Sequence, residues 1–184
     1  MIPLPDIRSL RAWLRRGGVI AYATESCFGL GCEPRNARAL RHVLALKGRP
    51  KAKGMILIGS DAHQFAPFLE PLPTELSARL SQWWPGPNTL LLPASRRCPR
   101  WLTGRHEKLA VRVTAHAEAA RLCRALNTPL VSTSANRTGR RALKTDRACR
   151  RAFGASVWVL PGRSGGRRGP STILDPLSGA IFRA

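Results

Sequence analysis

The chain is 184 residues long and 43% hydrophobic, enough for one core of ordinary size and not comfortably for two, so a single domain over 1–184 is expected. Its 31 Lys+Arg against 10 Asp+Glu give a formal charge of +21, which excludes an acidic scaffold and directs attention to anionic partners. The longest apolar runs fall far short of the ~20 residues that span a bilayer, and Asp6, Arg8, Arg11, Arg15 and Arg16 interrupt the start, leaving no signal-peptide core or lipidation motif; a soluble, cytoplasmic protein with no membrane partner is expected.

From Asp6, apolar residues at Ile7, Leu10, Trp13 and Leu14 have helical spacing, with Asp6 as N-cap and Gly17-Gly18 as the stop. Val19–Ala23 is a short β-prone run leading into a polar, Gly-containing loop, Thr24–Pro34. Asn36 can cap a second helix carrying Leu40, Val43, Leu44 and Leu46, which must end before Pro50. Further strands are expected at Met55–Ile58, Thr89–Leu92, Leu109–Thr114, Pro129–Thr133 and Val157–Leu160, and helices near 61–68, 73–83, 115–126 and 145–153. This interleaving reads as α/β or α+β around one sheet, with some antiparallel pairing where connections are short, around 89–114. The Gly/Arg-rich stretch 162–169 is the candidate mobile segment.

Five cysteines (Cys27, Cys32, Cys98, Cys123, Cys149) are scattered with no paired C-x-x-C, and the four histidines fall in no zinc pattern. Free thiols in a reducing compartment are expected, and no protein-bound metal. Basic residues are concentrated late: residues 1–92 carry 12 basic and 6 acidic side chains, residues 93–184 carry 19 and 4.

Four clusters can carry chemistry. Leu46-Lys47-Gly48-Arg49-Pro50 ends the second helix; Gly48 can close it while Pro50 forces Arg49 to extend, so the two cations can converge on a polyphosphate. Simple complementation of the helix dipole is the other reading. Ser132, Ser134 and Asn136 share one face at the C-terminal end of a strand, where α/β proteins bind ligands, although capping explains such residues equally well. Arg112 stands alone opposite the apolar face of Leu109, Val111 and Val113; with acids scarce, a bound anion is the expected partner, the alternative being an edge strand with Arg112 in water. Residues 162–172 offer backbone N–H groups and three arginines to phosphate or RNA, or form an exposed hairpin. Neither this stretch nor Gly29-x-Gly31 completes a Walker loop or a dinucleotide fingerprint.

Taken in order, Ala21-Tyr22-Ala23-Thr24-Glu25, Leu46-Lys47-Gly48-Arg49-Pro50, Trp84-Pro85-Gly86-Pro87, Leu109-Ala110-Val111-Arg112-Val113, Ser132-Thr133-Ser134-Ala135-Asn136 and Pro170-Ser171-Thr172-Ile173-Leu174-Asp175 resemble the YrdC/TsaC family, in its short single-domain branch. The resemblance implies an α/β fold with a twisted mixed sheet, flanked by helices, around a large basic cavity. It implies synthesis of threonylcarbamoyl-adenylate and pyrophosphate from L-threonine, bicarbonate and ATP, for threonylcarbamoyladenosine modification of tRNA next to the anticodon, with Mg2+ carried by the nucleotide. By position, Lys47 and Arg49 match the catalytic basic pair on the nucleotide phosphates, and Ser134, Asn136 and Arg183 match further ATP-side residues. Thr24, Arg112, Ser132 and Ser171 match the threonine side. Two departures stand out, Ala23 and Gly54, where relatives usually carry Pro; both are expected only to loosen a loop.

A rival reading is a structured-RNA-binding module in tRNA or ribosome maturation, binding tRNA or double-stranded RNA through a ridge of Arg137, Arg140, Arg141, Lys144, Arg147, Arg150 and Arg151. For the enzyme, downstream tRNA-threonylcarbamoyl transfer proteins are the implied recipients of product.

Overall fold

A computed structural model of the chain describes residues 5–184, so the first four positions of the expected domain lie outside it. Asp6 caps α1 (Ile7–Arg15), its carboxylate accepting from the backbone N–H groups of Arg8 and Ser9 that a helix start leaves open. Asn36 does the same for α2 (Ala37–Lys47), and Gly48 closes that helix in the left-handed conformation. The remaining helices are α3 (Thr74–Arg79), α4 (Arg100–Thr103), α5 (Ala117–Leu126) and α6 (Asp146–Phe153).

Among the described residues nine strands form one mixed sheet: β1 (Ile20–Ala23), β2 (Phe28–Gly31), β3 (Ile56–Gly59), β4 (Asn88–Pro93), β5 (Lys108–Val113), β6 (Leu130–Ser134), β7 (Trp158–Val159), β8 (Thr172–Leu174) and β9 (Ile181–Arg183). Their order is β7-β1-β2-β6-β3-β5-β4-β8-β9. The pairs β1/β7, β3/β5 and β4/β8 are parallel and the others antiparallel, including the β4/β5 pair expected from its short connection.

Strand alternation sorts side chains onto two faces. Ala21, Leu57, Leu90, Leu92, Val111 and Val131 point into the larger core, under α2 and α6. Ile20, Tyr22, Ile58 and Leu130 point the other way, under α1 and α5, against Leu10, Leu14, Leu122 and Leu126. Those two helices cover only part of their face. Beyond them the same alternation presents Ile56, Leu91, Ala110, Arg112, Ser132 and Ser134 to a cavity.

Several elements depart from expectation. The supposed loop Thr24–Pro34 contains β2, antiparallel to β1. The helix near 61–68 is three-ten throughout, Ala62–Phe68, with Pro67 removing a backbone donor from it. The helix expected over 73–83 stops as α-helix at Arg79 and finishes as a three-ten turn, Leu80–Gln82. The stretch 162–169 is pinned: Gly165 N donates to Thr24 O at 3.0 Å and Arg167 N to Glu25 O at 2.9 Å. Gly54 does more than loosen its loop, because it takes φ 58°, closed to proline, and a Cβ there would lie 2.8 Å from Thr103 O.

Candidate functional site

The cavity encloses about 650 Å³ on the face left open by α1 and α5, walled by β2, β6, β3, β5, β4 and β8. Seven of the residues singled out from sequence line it: Thr24, Arg49, Arg112, Ser132, Ser134, Ser171 and Arg183. They come from positions as far apart as the first strand and the last, so the fold alone brings them together.

Lys47 and Asn136 stand behind this wall. Lys47 is 3% exposed, and its ammonium donates to Ser134 O, to Ser134 Oγ at 3.3 Å, to Asn136 O at 3.0 Å and to Asn136 Oδ1 at 3.1 Å. Three N–H donors thus meet four acceptors, and none is spare. Asn136 also donates from Nδ2 to Arg140 O. Burial, reinforced by the charge of Arg49, lowers the Lys47 ammonium to about 8. The serine comb is therefore real, but its third tooth turns inward to the lysine.

Arg49 does not share that knot. Its Nη2 donates to Gly54 O at 3.2 Å and to Lys53 O at 3.5 Å, and its buried Nε has no partner. Arg183, on the edge strand β9, reaches back to Ser171: Nε donates to Ser171 O at 2.8 Å and Nη2 to Ser171 Oγ at 3.0 Å. Ser171 Oγ in turn lies 2.8 Å from Thr89 Oγ1. Burial lowers the affinity of the Arg183 guanidinium for its proton, and the nearby charges of Arg112 and Arg49 lower it further, placing the three guanidiniums within electrostatic reach of one another.

Arg112 is 8% exposed, which disposes of the edge-strand reading. The expectation that only a bound anion is at hand to meet it needs correcting, because Glu25 Oε2 lies 3.1 Å from Arg112 Nη1. The scarcity of acids in the composition concealed a partner 87 residues away in the chain. Arg112 Nε is buried without a hydrogen bond, so Glu25 satisfies the charge and leaves donors over. Thr24, 6% exposed, donates its hydroxyl to Cys27 O at 2.7 Å.

The sequence reading passed over other lining residues: Ser26 and Cys27 on the β1–β2 turn, Lys53, Lys108, Asp175 and Phe182. Asp175 is 5% exposed and paired with Lys108. Burial alone would raise its carboxyl, but hydrogen bonds from Lys108 and the Leu177 backbone bring it below the ordinary carboxylate value. The signal for Asp175 was its place at the end of Pro170–Asp175; for Lys53 and Lys108 no local pattern existed. Among the described residues no group of three or more His, Cys, Asp or Glu is arranged to hold a metal, and no helix is long and apolar enough to cross a membrane.

Comparison with known proteins gives this geometry a context. The Sua5/YciO/YrdC family model, described as "Telomere recombination", matches residues 12–184. A Chromobacterium violaceum protein named threonylcarbamoyl-AMP synthase is 61% identical, covering 98% of this chain and 97% of its own length. A Thiobacillus denitrificans protein of the same name is 57% identical over 95% of this chain and 93% of its own. Among solved structures, Pyrococcus abyssi Sua5 complexed with L-threonine superposes with a TM-score of 0.81 at 29% identity, covering 93% of this chain; this chain spans only about half (51%) of that one. Escherichia coli YciO shares the fold at TM-score 0.82 and 21% identity, covering 99% of this chain and 91% of its own.

Proposed function

Because the chain belongs to the Sua5/YciO/YrdC family, we propose that its cavity performs the reaction in its relatives' name, threonylcarbamoyl-AMP synthesis from L-threonine, bicarbonate and ATP. The observation that carries the reading is the convergence of Arg49, Arg112 and Arg183 on one recess of about 650 Å³, a volume within the ~300–1,000 Å³ of small-molecule sites.

The chemistry asks for this kind of wall. Threonine's amine and bicarbonate condense to a carbamate with loss of water. The carbamate oxygen then attacks the α-phosphorus of ATP, the bond to the β-phosphate oxygen breaks, and pyrophosphate leaves. The attacking group is already anionic, so no activated serine is needed; the barrier lies in bringing negative groups together in line. Fixed cations offset that repulsion, and in a recess shielded from water each acts more strongly than in solvent.

Arg49 and Arg183, with donors open to the cavity, are the phosphate ligands in this scheme, with Ser134 beside them. Lys47 holds Ser134 and Asn136 in place and adds its charge from behind the wall. Arg112 clamps the threonine carboxylate, and Thr24, Ser132 and Ser171 supply hydroxyls around it. The Arg183–Ser171 bonds join the two sides. Mg2+ enters with ATP as part of the substrate. The whole chain acts as one domain, its free thiols fit a reducing cytoplasm, and its product passes to tRNA through downstream transfer proteins. The RNA-binding-module reading is not favoured by the relatives' names.

The test is pyrophosphate release by the purified protein. Expected is release that requires both threonine and bicarbonate. Release indifferent to threonine, or none from folded protein, overturns the reading.

A further inference from the structure

Glu25 lies outside the set of residues assigned to either substrate, yet its carboxylate engages three groups beside the cavity. Its Oε2 lies 3.1 Å from Arg112 Nη1, a buried ion pair outside hydrogen-bond geometry. Its Oε1 accepts from Thr114 Oγ1 at 2.7 Å and from Ala115 N at 3.2 Å, so the carboxylate is itself held by the turn that follows β5. Arg112 lines the main cavity, whereas Glu25 lines a shallow outer hollow with His116, Arg163 and Arg167. The carboxylate is thus the partition between them.

The backbone here does a second job. Thr24 O and Glu25 O accept from Gly165 N and Arg167 N, so the strap 162–167 runs beside the β1–β2 turn like an extra strand. His116 Nε2 lies 2.9 Å from Arg163 O, a further anchor from the start of α5. The fit is close, since a Cβ on Gly165 would lie 2.9 Å from Glu25 O and 3.1 Å from its Cα.

We propose that Glu25 is a positioning residue for the amino-acid clamp, holding the Arg112 guanidinium at the cavity wall and coupling that clamp to the strap 162–167. The inference rests on the reading of Arg112 as the ligand of the threonine carboxylate. An unpaired guanidinium at the end of a long side chain visits many rotamers, and ordering it on binding consumes affinity. Fixing one edge of the fork on Glu25 removes that freedom beforehand and leaves other donors for the substrate. Arg49 and Arg183 are anchored on backbone or hydroxyl oxygens instead, so Glu25 acts on the amino-acid side alone.

Two variants test this by different routes. Glu25→Gln keeps an amide oxygen for Thr114 and Ala115 and removes the charge that holds Arg112. Gly165→Ala leaves Glu25 intact and pushes the strap from its backbone. Threonine and ATP binding are measured separately by calorimetry, alongside steady-state KM and kcat and the melting temperature. Expected for Glu25→Gln is threonine affinity weakened about tenfold or more, because the Arg112 guanidinium loses its buried counter-charge, with KM rising in parallel and ATP affinity unchanged. Expected for Gly165→Ala is a loss in the same direction and on the same substrate. A Glu25→Gln protein that binds threonine like wild type overturns the proposal while the functional reading stands. Equal losses for threonine and ATP, with a lowered melting temperature, overturn it in favour of a merely structural role. A wild-type protein that binds ATP but not threonine overturns the functional reading, and the proposal with it.

Discussion

Lys47 and Arg49 are two residues apart in the chain, and their surroundings differ in kind. Lys47 is saturated: its ammonium meets two carbonyls, a hydroxyl and an amide oxygen at the end of β6. Arg49, like Arg112 across the cavity, keeps a buried Nε without a partner. A cation whose donors are consumed by the protein holds the wall together, whereas one with donors to spare is equipped to meet an anion. The pair reads alike in sequence because a helix end and a following proline leave both positions at the same corner. Lys47 turns toward β6, nearly ninety residues later, whereas Arg49 turns toward the carbonyls of Lys53 and Gly54.

Substitutions on the two sides should fail differently. Lys47→Met leaves buried acceptors without donors, and should cost about 3 kcal/mol, roughly 6–12 °C in melting temperature, as well as nearly all turnover. Thermal unfolding together with pyrophosphate release reads both. Retained stability would place the lysine with the substrate-facing cations and erase the contrast. Arg49→Ala should leave the melting temperature within about 2 °C while kcat/KM for ATP falls about 100-fold, equivalent to one strong charged contact.

Titration sharpens the contrast further. An ordinary lysine ionises near 10.5, and burial lowers Lys47 to about 8. The unfolded chain therefore binds this proton more tightly than the folded one. Its contribution to stability accordingly grows from about pH 8 to about pH 10.5 and is lost as pH falls through about 8. Activity should run the opposite way, declining as pH rises through about 8, because the neutral amine has one donor fewer and no charge. Melting temperature and rate measured over this range should diverge in wild type; the stability trend should vanish in Lys47→Met. The smallest effect belongs to the outer arginines. Replacing Arg147, Arg150 and Arg151 together by alanine removes from α6 only the exposed Arg150–Asp146 pair at 3.8 Å, and should change turnover less than about twofold and stability by about 0.5 kcal/mol.

Sequence patterns disclosed what local physics controls. The caps Asp6 and Asn36 set α1 and α2, and apolar runs located β3 to β7, because those strands are rich in branched aliphatic residues, most of them buried. β2 escaped notice because Phe28-Gly29-Leu30-Gly31 places a glycine at every second position, which weakens the strand signal. β8 and β9 are three residues each; β8 depends on pairing with β4, far back in the chain, and β9 on pairing with β8. The same distance effect hid Glu25 as the partner of Arg112 and Ser134 as an acceptor for Lys47. Arg112 and Ser132, which line the cavity, stood out as polar groups interrupting apolar strands, whereas Thr24 and Ser171 were singled out only through the family resemblance. Their common cavity was expected from the family resemblance alone and from no local pattern, since it exists only where α1 and α5 stop covering the sheet.

That one recess holds both reactants is tested most directly by a crystal structure of the protein with L-threonine and a non-hydrolysable ATP analogue. Expected is the threonine carboxylate on Arg112, with the phosphates on Arg49 and Arg183 in the same cavity. Either ligand bound outside it, or phosphates remote from both arginines, would contradict the assignment.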